Sequence, residues 1–351
     1  MIPLETRTSI DATIDRSLRR IGARAGELGP GFGALADAMA RAATGGKRFR
    51  PALVVASYRA FGGVEDLPAG VLPVAAAFEL LHTAFVVHDD VIDHDTVRRG
   101  IPNVAGEFRM RARGNGADAA GAALLGDAAA ILAGDLLLHE AARLIALAEV
   151  DRETRASLFE LLDEAIYVSA AGELADVENS IVTEHVAADA ILNATFNKTA
   201  VYSFSAPMCA GALLAGAGPE AIVALQAAGG RLGLAFQLVD DLIGAFGSEE
   251  QAGREAGGDL RESKRTPLIA MARESPAWPR VNDALAIAHT GPIAVREAQR
   301  ALEESGARHQ LRSLIGDTLD DVRTAALDPA LPREAAELLY DLSRTVQERI
   351  P

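Results

Sequence analysis

Apolar residues recur every three or four positions along almost every long segment of this chain, and that spacing leaves one regular structure available. It runs through ALLGDAAAILAGDLLLHEAARLIALA (123–148), RETRASLFELLDEAIYVSAAGELADVE (152–178) and PEAIVALQAAGGRLGLAFQLVDDLIGAF (219–246). A period near 3.6 is that of an amphipathic α-helix, whereas half-buried strands alternate with period two. Alanine is abundant, β-branched runs are short and aromatics make up only 5% of the residues, which favours helix over sheet. Breakers punctuate the pattern at FGGVEDLPAG (61–70), RARGNGAD (111–118) and GSEEQAGREAGGDLRESKRTP (247–267). Neither a long low-complexity linker nor a fixed-period repeat divides the 351 residues. The expectation is an all-α protein of ten or more helices, a single domain over 1–351, with 1–40 as an N-terminal packing or association segment.

The formal net charge of −15 excludes a nucleic-acid reader, which needs a concentrated basic surface. Cys209 is the single cysteine, so no internal disulfide can form, which fits a reducing cytoplasm. The N-terminal MIPLETRTSIDATIDRSLRR carries charge where a signal peptide needs an apolar core. The uncharged stretch Thr199–Pro219 approaches the length of a membrane span, but Pro207, its glycines and polar Tyr202, Ser203 and Ser205 interrupt it. It reads as a buried core helix followed by a turn. A cytoplasmic protein without stable membrane insertion is expected.

Against this apolar background, HTAFVVHDDVIDHDTVRRG (82–100) places acids inside a helical segment. Buried charge is costly unless something offsets it. At about 100° per residue, Asp89 and Asp93 share a face, Asp90 sits on the flank, and His82 and Phe85 lie behind them. Carboxylates on one face repel unless a cation sits among them. Hard oxygen donors with few soft ones nearby suit Mg²⁺, which commonly bridges to substrate phosphates. Alone, such a cluster also fits a solvated acidic helix end. A second pair, Asp240 and Asp241, follows GLAFQLV with Gln237 three residues earlier, and two acid pairs on two helices suggest one metal site between facing helices.

Cations accompany both pairs. Lys47, Arg48 and Arg50 lie in GGKRFRP, Arg98 and Arg99 precede Gly100, and Lys198 with Thr199 interrupts an uncharged helix. Arg254, Lys264 and Arg265 follow the second acid pair. Arginine matches phosphate oxygens with a planar, paired donor set. Acids for a metal beside cations for an anion fit a metal-chelated diphosphate that leaves, with an apolar pocket lined by Phe78, Leu81, Ala84 and Phe85 to hold the carbocation.

With those residues in view, the chain resembles the trans-isoprenyl diphosphate synthases, or polyprenyl synthetases, and among them is most similar to bacterial geranylgeranyl diphosphate synthases. The resemblance runs from about Gly45 to Thr266 through GGKRFRP, LLHTAFVVHDDVIDHDTVRRGIPN, AILAGDLLL, FNKTAVYSF, GLAFQLVDDLIGAFG and GREAGGDLRESKRTPL. It implies a bundle of long helices around a deep central cavity and a homodimer. It also implies that Asp89 and Asp93, supported by Asp90, hold Mg²⁺ on the allylic diphosphate, and that Asp240, beside Asp241, holds a further Mg²⁺. Arg98, Lys198 and Arg254, assisted by Lys264, would contact the allylic diphosphate. Lys47, Arg50, His82 and Arg99 would hold isopentenyl diphosphate, while Lys198, Thr199 and Gln237 would stabilise the allylic cation. The implied reaction is ionisation, attack by the isopentenyl double bond and loss of a proton to the departing diphosphate.

Two positions depart from the family pattern. Gly244 stands where many members carry a third Asp, and Arg254 stands where Lys is usual. Product length is expected at C20 rather than C15 or C25, with Phe85 as the wall that stops the growing tail and Ala84 leaving room beside it. A class I terpene cyclase would need an Asn/Ser/Glu metal motif, which VENSIVTEH (177–185) does not supply. A non-catalytic partner subunit would be expected to lack an acid motif or the cations. An HD-type phosphohydrolase built on His82, His88 and His94 would need further ligands, for which His139 and His185 are poorly placed. His88 and His94 are expected to hydrogen-bond acids or backbone.

Overall fold

The computed structural model describes residues 3–64, 66–182, 186–252 and 256–351. Arg254 and His185 lie outside the described residues. The chain folds as two compact units, residues 1–162 with 210–216, and residues 163–209 with 217–351.

The first unit holds α1 (Leu4–Ala25), α2 (Pro30–Ala42), α3 (Phe49–Ala60), α4 (Val71–Ile92), α5 (Val104–Gly114) and α6 (Ala119–Ala146). Between α4 and α5 lies a minimal hairpin of β1 (Val97–Arg98) and β2 (Ile101–Pro102). Helix α7 (Arg152–Ile181) continues into the second unit. The helix starts follow local chemistry: Asn103 and Asp118 cap α5 and α6 by accepting from the amides of Gly106 and Gly121, each at 2.8 Å. Helix α4 packs against α1, α3 and α6. Phe78, Leu80, Leu81 and Leu137 are fully buried there, each contributing about 1.5–3 kcal/mol of hydrophobic stabilisation. A buried acid of α6, Glu140, is offset by Arg20 of α1 and by Arg143 at 3.2 Å.

After the end of α7 the second unit holds α8 (Ala188–Thr195), a π-helical segment over Phe196–Ser205 and α9 (Ala206–Leu214), whose C-terminal part belongs to the first unit. It continues with α10 (Pro219–Phe246), α11 (Glu249–Ala252), α12 (Gly258–Arg261), α13 (Pro267–Arg273), α14 (Trp278–Ile287), α15 (Pro292–Glu304), α16 (Ala307–Ala325) and α17 (Arg333–Gln347). Prolines at the first helical position open α10, α13 and α15, where their missing N–H costs nothing. Helix α10 is central, packing on the π-helical segment, α16 and α17. The uncharged stretch does form buried core, with Phe204, Met208 and Cys209 sealed from solvent, but its first part is π-helical rather than α-helical. By length and composition alone, α4, α6 and α10 are each apolar enough to cross a membrane.

Candidate active site

Three acids at the C-terminal end of α4 sit where the helix dipole is already negative. Asp90 is buried, with 4% of its side chain exposed, Asp89 is part-exposed, and Asp93 follows the last helical residue on the surface. Their first counterion comes from the hairpin. Arg99 and Gly100 form its two-residue turn with φ of 54° and 78°, a left-handed pair that matches the twist of tight hairpins. The turn delivers Arg98, whose Nε donates to Asp90 at 2.7 Å and whose Nη2 lies 3.4 Å from Asp89. Asn103, besides capping α5, donates to the Asp95 carbonyl at 2.9 Å and so ties the hairpin to the helix end. Burial pushes the Asp90 carboxyl up from its ordinary value, while Arg98 pulls it down. The three carboxylates form an all-oxygen donor set, and such a set fits Mg²⁺.

Behind this acid set the first unit gathers its cations. Burial, then Arg50, Arg98 and Arg99, hold His82 well below the usual imidazole value, so it is neutral at pH 7. The Arg99 guanidinium lies 3.9 Å from where a Cβ on Gly46 would stand, which brings the GGKRFRP loop beside the hairpin. Lys47 is exposed and Arg50 half-buried. The expected grouping of Lys47, Arg50, His82 and Arg99 is therefore a neighbourhood in the fold, and it suits a multiply charged anion. His88 packs over Gly134 of α6, with Nε2 3.2 Å from the Ile131 carbonyl and 3.5 Å from Asp135, the backbone and acid partners expected of it. Phe85 keeps some exposed surface, whereas Ala84 is fully buried.

The second unit carries the other acid set on α10. Asp241 receives a hydrogen bond from Gln237 at 2.9 Å, and burial together with Asp259, Asp240 and Asp176 pushes its carboxyl up to about 7. Asp240 pairs with Arg349 near the C-terminus, and that guanidinium stacks 4.3 Å from the Phe236 ring. Lys198 lies on the π-helical segment and is held by Glu173 at 3.1 Å and Asp176 at 2.9 Å, both on α7. The wide π turn fits because two glycines oppose it. A Cβ on Gly172 would stand 2.2 Å from the Lys198 amide nitrogen, and one on Gly233 would stand 2.7 Å from the Ala200 Cα. Thr199 is half-buried beside Lys198. Lys264 lies 4.0 Å from Asp259 and 3.4 Å from Glu262. Arg265 is engaged elsewhere, donating to the carbonyls of Asn179 and Val182 at 2.7 and 2.8 Å at the C-terminal end of α7.

Four residues join the site here although the acid pairs and cation clusters of the sequence do not include them: Glu173, Asp176, Asp259 and Arg349. The first two are three apart on one helix face, a signal that is present in AAGELADVE. Asp259 is buried, and its Oδ2 lies 1.8 Å from where a Cβ on Gly244 would stand. The third acid missing from the Gly244 position is thus matched by a carboxylate from α12 in the same space. Among the described residues no group of three or more His, Cys, Asp or Glu side chains forms a ready metal cage. Mg²⁺ does not require one, because it binds through one or two carboxylates plus waters and substrate phosphates.

The raised Asp241 carboxyl gives a pH test. Raised in the folded protein, it contributes stability that is full below its ordinary value of 3.8 and is lost as pH rises to about 7. A cation at this cluster requires the ionised form. Mg²⁺ is therefore expected to raise the melting temperature more at pH 8 than at pH 6, read by scanning fluorimetry; equal shifts would show that Asp241 does not sense the ion.

The polyprenyl synthetase family model matches residues 33–303. A geranylgeranyl diphosphate synthase of Sulfolobus acidocaldarius is 34% identical over 228 residues, 64% of this chain and 62% of that protein, just under two thirds of its length. An octaprenyl diphosphate synthase of Escherichia coli is 31% identical over 273 residues, 77% of this chain and 71% of the other. Among solved structures, a geranylgeranyl pyrophosphate synthase from Corynebacterium glutamicum, complexed with isoprenyl diphosphate and magnesium, superposes with a TM-score of 0.88 at 26% identity, covering 99% of this chain and 100% of that one.

Proposed function

The chain belongs to the polyprenyl synthetase family and is a prenyltransferase, and from that premise we propose that it condenses isopentenyl diphosphate with allylic diphosphates to geranylgeranyl diphosphate, C20. The relatives' names run from farnesyl through geranylgeranyl and geranylfarnesyl to octaprenyl synthases, so the C20 length is our own inference and rests on Phe85. The observation that carries the proposal is the first unit's pairing of an acid set, Asp89, Asp90 and Asp93, with the cations Arg50, Arg98 and Arg99 around neutral His82.

Asp89, Asp93 and Asp240 would hold Mg²⁺, more than one ion per site, with Asp90 and Asp241 beside them. Bound Mg²⁺ would act as Lewis acid and template for the departing diphosphate. Asp90 keeps Arg98 aimed, and Arg98 donates to the allylic diphosphate. Lys198, held by Glu173 and Asp176, adds a cation for that diphosphate, as would Arg254 and Lys264. Lys47, Arg50, Arg99 and uncharged His82 bind isopentenyl diphosphate without placing a fourth positive charge among the guanidiniums. The Thr199 hydroxyl and the Gln237 amide supply oxygen dipoles to the allylic cation. The isopentenyl double bond attacks that cation, a new carbon–carbon bond forms, and the proton lost leaves with diphosphate.

We also propose that both units serve one catalytic domain, since a single family model runs through residues of both. A homodimer is supported by the exposed apolar stripe of α6, where Leu124, Leu125, Ile131 and Leu132 are 40–72% exposed on one face. The test is diphosphate release by the purified protein from isopentenyl diphosphate and C5, C10 or C15 allylic partners with Mg²⁺, followed by product sizing. C20 is expected, Phe85→Ala should lengthen the product, and no release from any pair sinks the proposal. An unchanged product profile in Phe85→Ala removes Phe85 as the wall.

A further inference from the structure

Arg48 has no part in the reaction above, yet its backbone is strained and its side chain is sealed. It follows Gly45 and Gly46, with φ of 80° and 82°, and itself adopts φ 52° and ψ 41° immediately before α3. A left-handed arginine is unfavourable for an L residue unless its surroundings fix it. Here they do. With 6% of its side chain exposed, Arg48 donates from Nε to Asp11 of α1 at 2.6 Å and from Nη1 to Glu79 of α4 at 3.0 Å. Glu79 is itself buried and engages Arg48 through Oε1, its Oε2 having no hydrogen-bond partner, while Asp11 takes the guanidinium Nε. Arg7, one turn before Asp11 on α1, donates to the Gly46 carbonyl at 2.9 Å. Helix α1 thus grips the loop on both sides of Lys47, at Gly46 and at Arg48.

We propose that Asp11 and Arg7 are positioning residues for isopentenyl diphosphate: by fixing Gly46 and Arg48 they hold the turn that presents Lys47 and Arg50. The inference rests on the reading that Lys47, Arg50, His82 and Arg99 take that substrate. The N-terminal segment then has a specific task beyond packing. Without Asp11 the Arg48 side chain keeps one partner, the left-handed turn loses its clamp, and the loop must be reordered each time the anion binds. That ordering weakens binding of one substrate and leaves the chemistry untouched.

Steady-state kinetics of the full chain with Mg²⁺, in Asp11→Asn, Asp11→Glu and Arg7→Ala, provide the test. The KM for isopentenyl diphosphate is expected to rise about tenfold in Asp11→Asn, or about 1.4 kcal/mol. Arg7→Ala should give a smaller rise in the same constant, and Asp11→Glu should recover most of the loss. The allylic KM and kcat should stay near wild type, and amide exchange at residues 46–48 should quicken in Asp11→Asn. Parallel rises in both Michaelis constants, a fall in kcat alone, or unchanged exchange overturns the proposal. If Asp11→Asn fails to fold, Arg7→Ala decides by the same readouts. If the wild type turns over no isopentenyl diphosphate, the functional reading fails separately. The clamp is then judged by calorimetric titration with inorganic pyrophosphate, which should bind Asp11→Asn about tenfold more weakly, and equal affinity overturns it.

Discussion

Asp89→Asn should lower kcat/KM by about a thousandfold or more while leaving the melting temperature unchanged or slightly higher. Each tenfold loss corresponds to about 1.36 kcal/mol of transition-state stabilisation, so the demand on this carboxylate is about 4 kcal/mol. The stability side follows from its surroundings. Asp89 is part-exposed, its distance to Arg98 is 3.4 Å, and it lies in the last turn of α4, where the dipole disfavours negative charge by about 0.3–1 kcal/mol. Removing that charge costs the fold little. Asp90→Asn should behave the other way round for stability. Asp90 is 4% exposed and receives Arg98 Nε at 2.7 Å, so its loss leaves a part-buried guanidinium short of its main partner. Calorimetry beside steady-state kinetics separates the two, and an Asp89→Asn enzyme keeping a tenth of its activity would remove Asp89 as a metal ligand.

What could be read in advance follows from where the information lies. Helix α10 begins at Pro219 and ends at Phe246, the bounds its apolar spacing indicates, because that spacing is local and Pro and Gly mark its ends. Asp89, Asp90 and Asp93 could be found for the same reason: charge at helical spacing in an apolar segment is visible without the fold. The π-helical turn at Phe196–Ser205 could not be read from FNKTAVYSFS. Its room comes from Gly172 on α7 and Gly233 on α10, which are distant in sequence. The two-residue strands that aim Arg98 are too short to show alternation, although the Gly100 that permits their turn is plain in the sequence. Arg48 looks like one more cation of GGKRFRP, and only its partners, the part-exposed Asp11 and the buried Glu79, reveal that it faces inward. Asp259 is hidden most deeply, because its place depends on a side chain that Gly244 does not have.

That dependence makes Gly244→Asp a damaging change, although it restores the third acid common in the family. A Cβ at this position would stand 1.8 Å from Asp259 Oδ2 and 2.6 Å from its Cγ, closer than any real contact, so the buried Asp259 carboxylate must swing away or α10 and α12 must part. Overpacking a tight site costs about 1–3 kcal/mol. The new carboxylate would also join Asp240, Asp241 and Asp259, where burial first and the neighbouring acids second already push Asp241 up to about 7. A total loss of about 3 kcal/mol or more is expected, seen as a lower melting temperature and a higher Mg²⁺ requirement. Gly244→Ala isolates the steric part and should lose less. The decisive variant is Gly244→Asp with Asp259→Gly, which moves one carboxylate from α12 to α10 and keeps the charge constant. If the two positions share one space, the double variant should be more stable than Gly244→Asp alone, with a coupling above about 1 kcal/mol. Simple additivity of the two losses would mean that Asp259 swings clear at no cost, and that the second acid set has no third carboxylate supplied from α12.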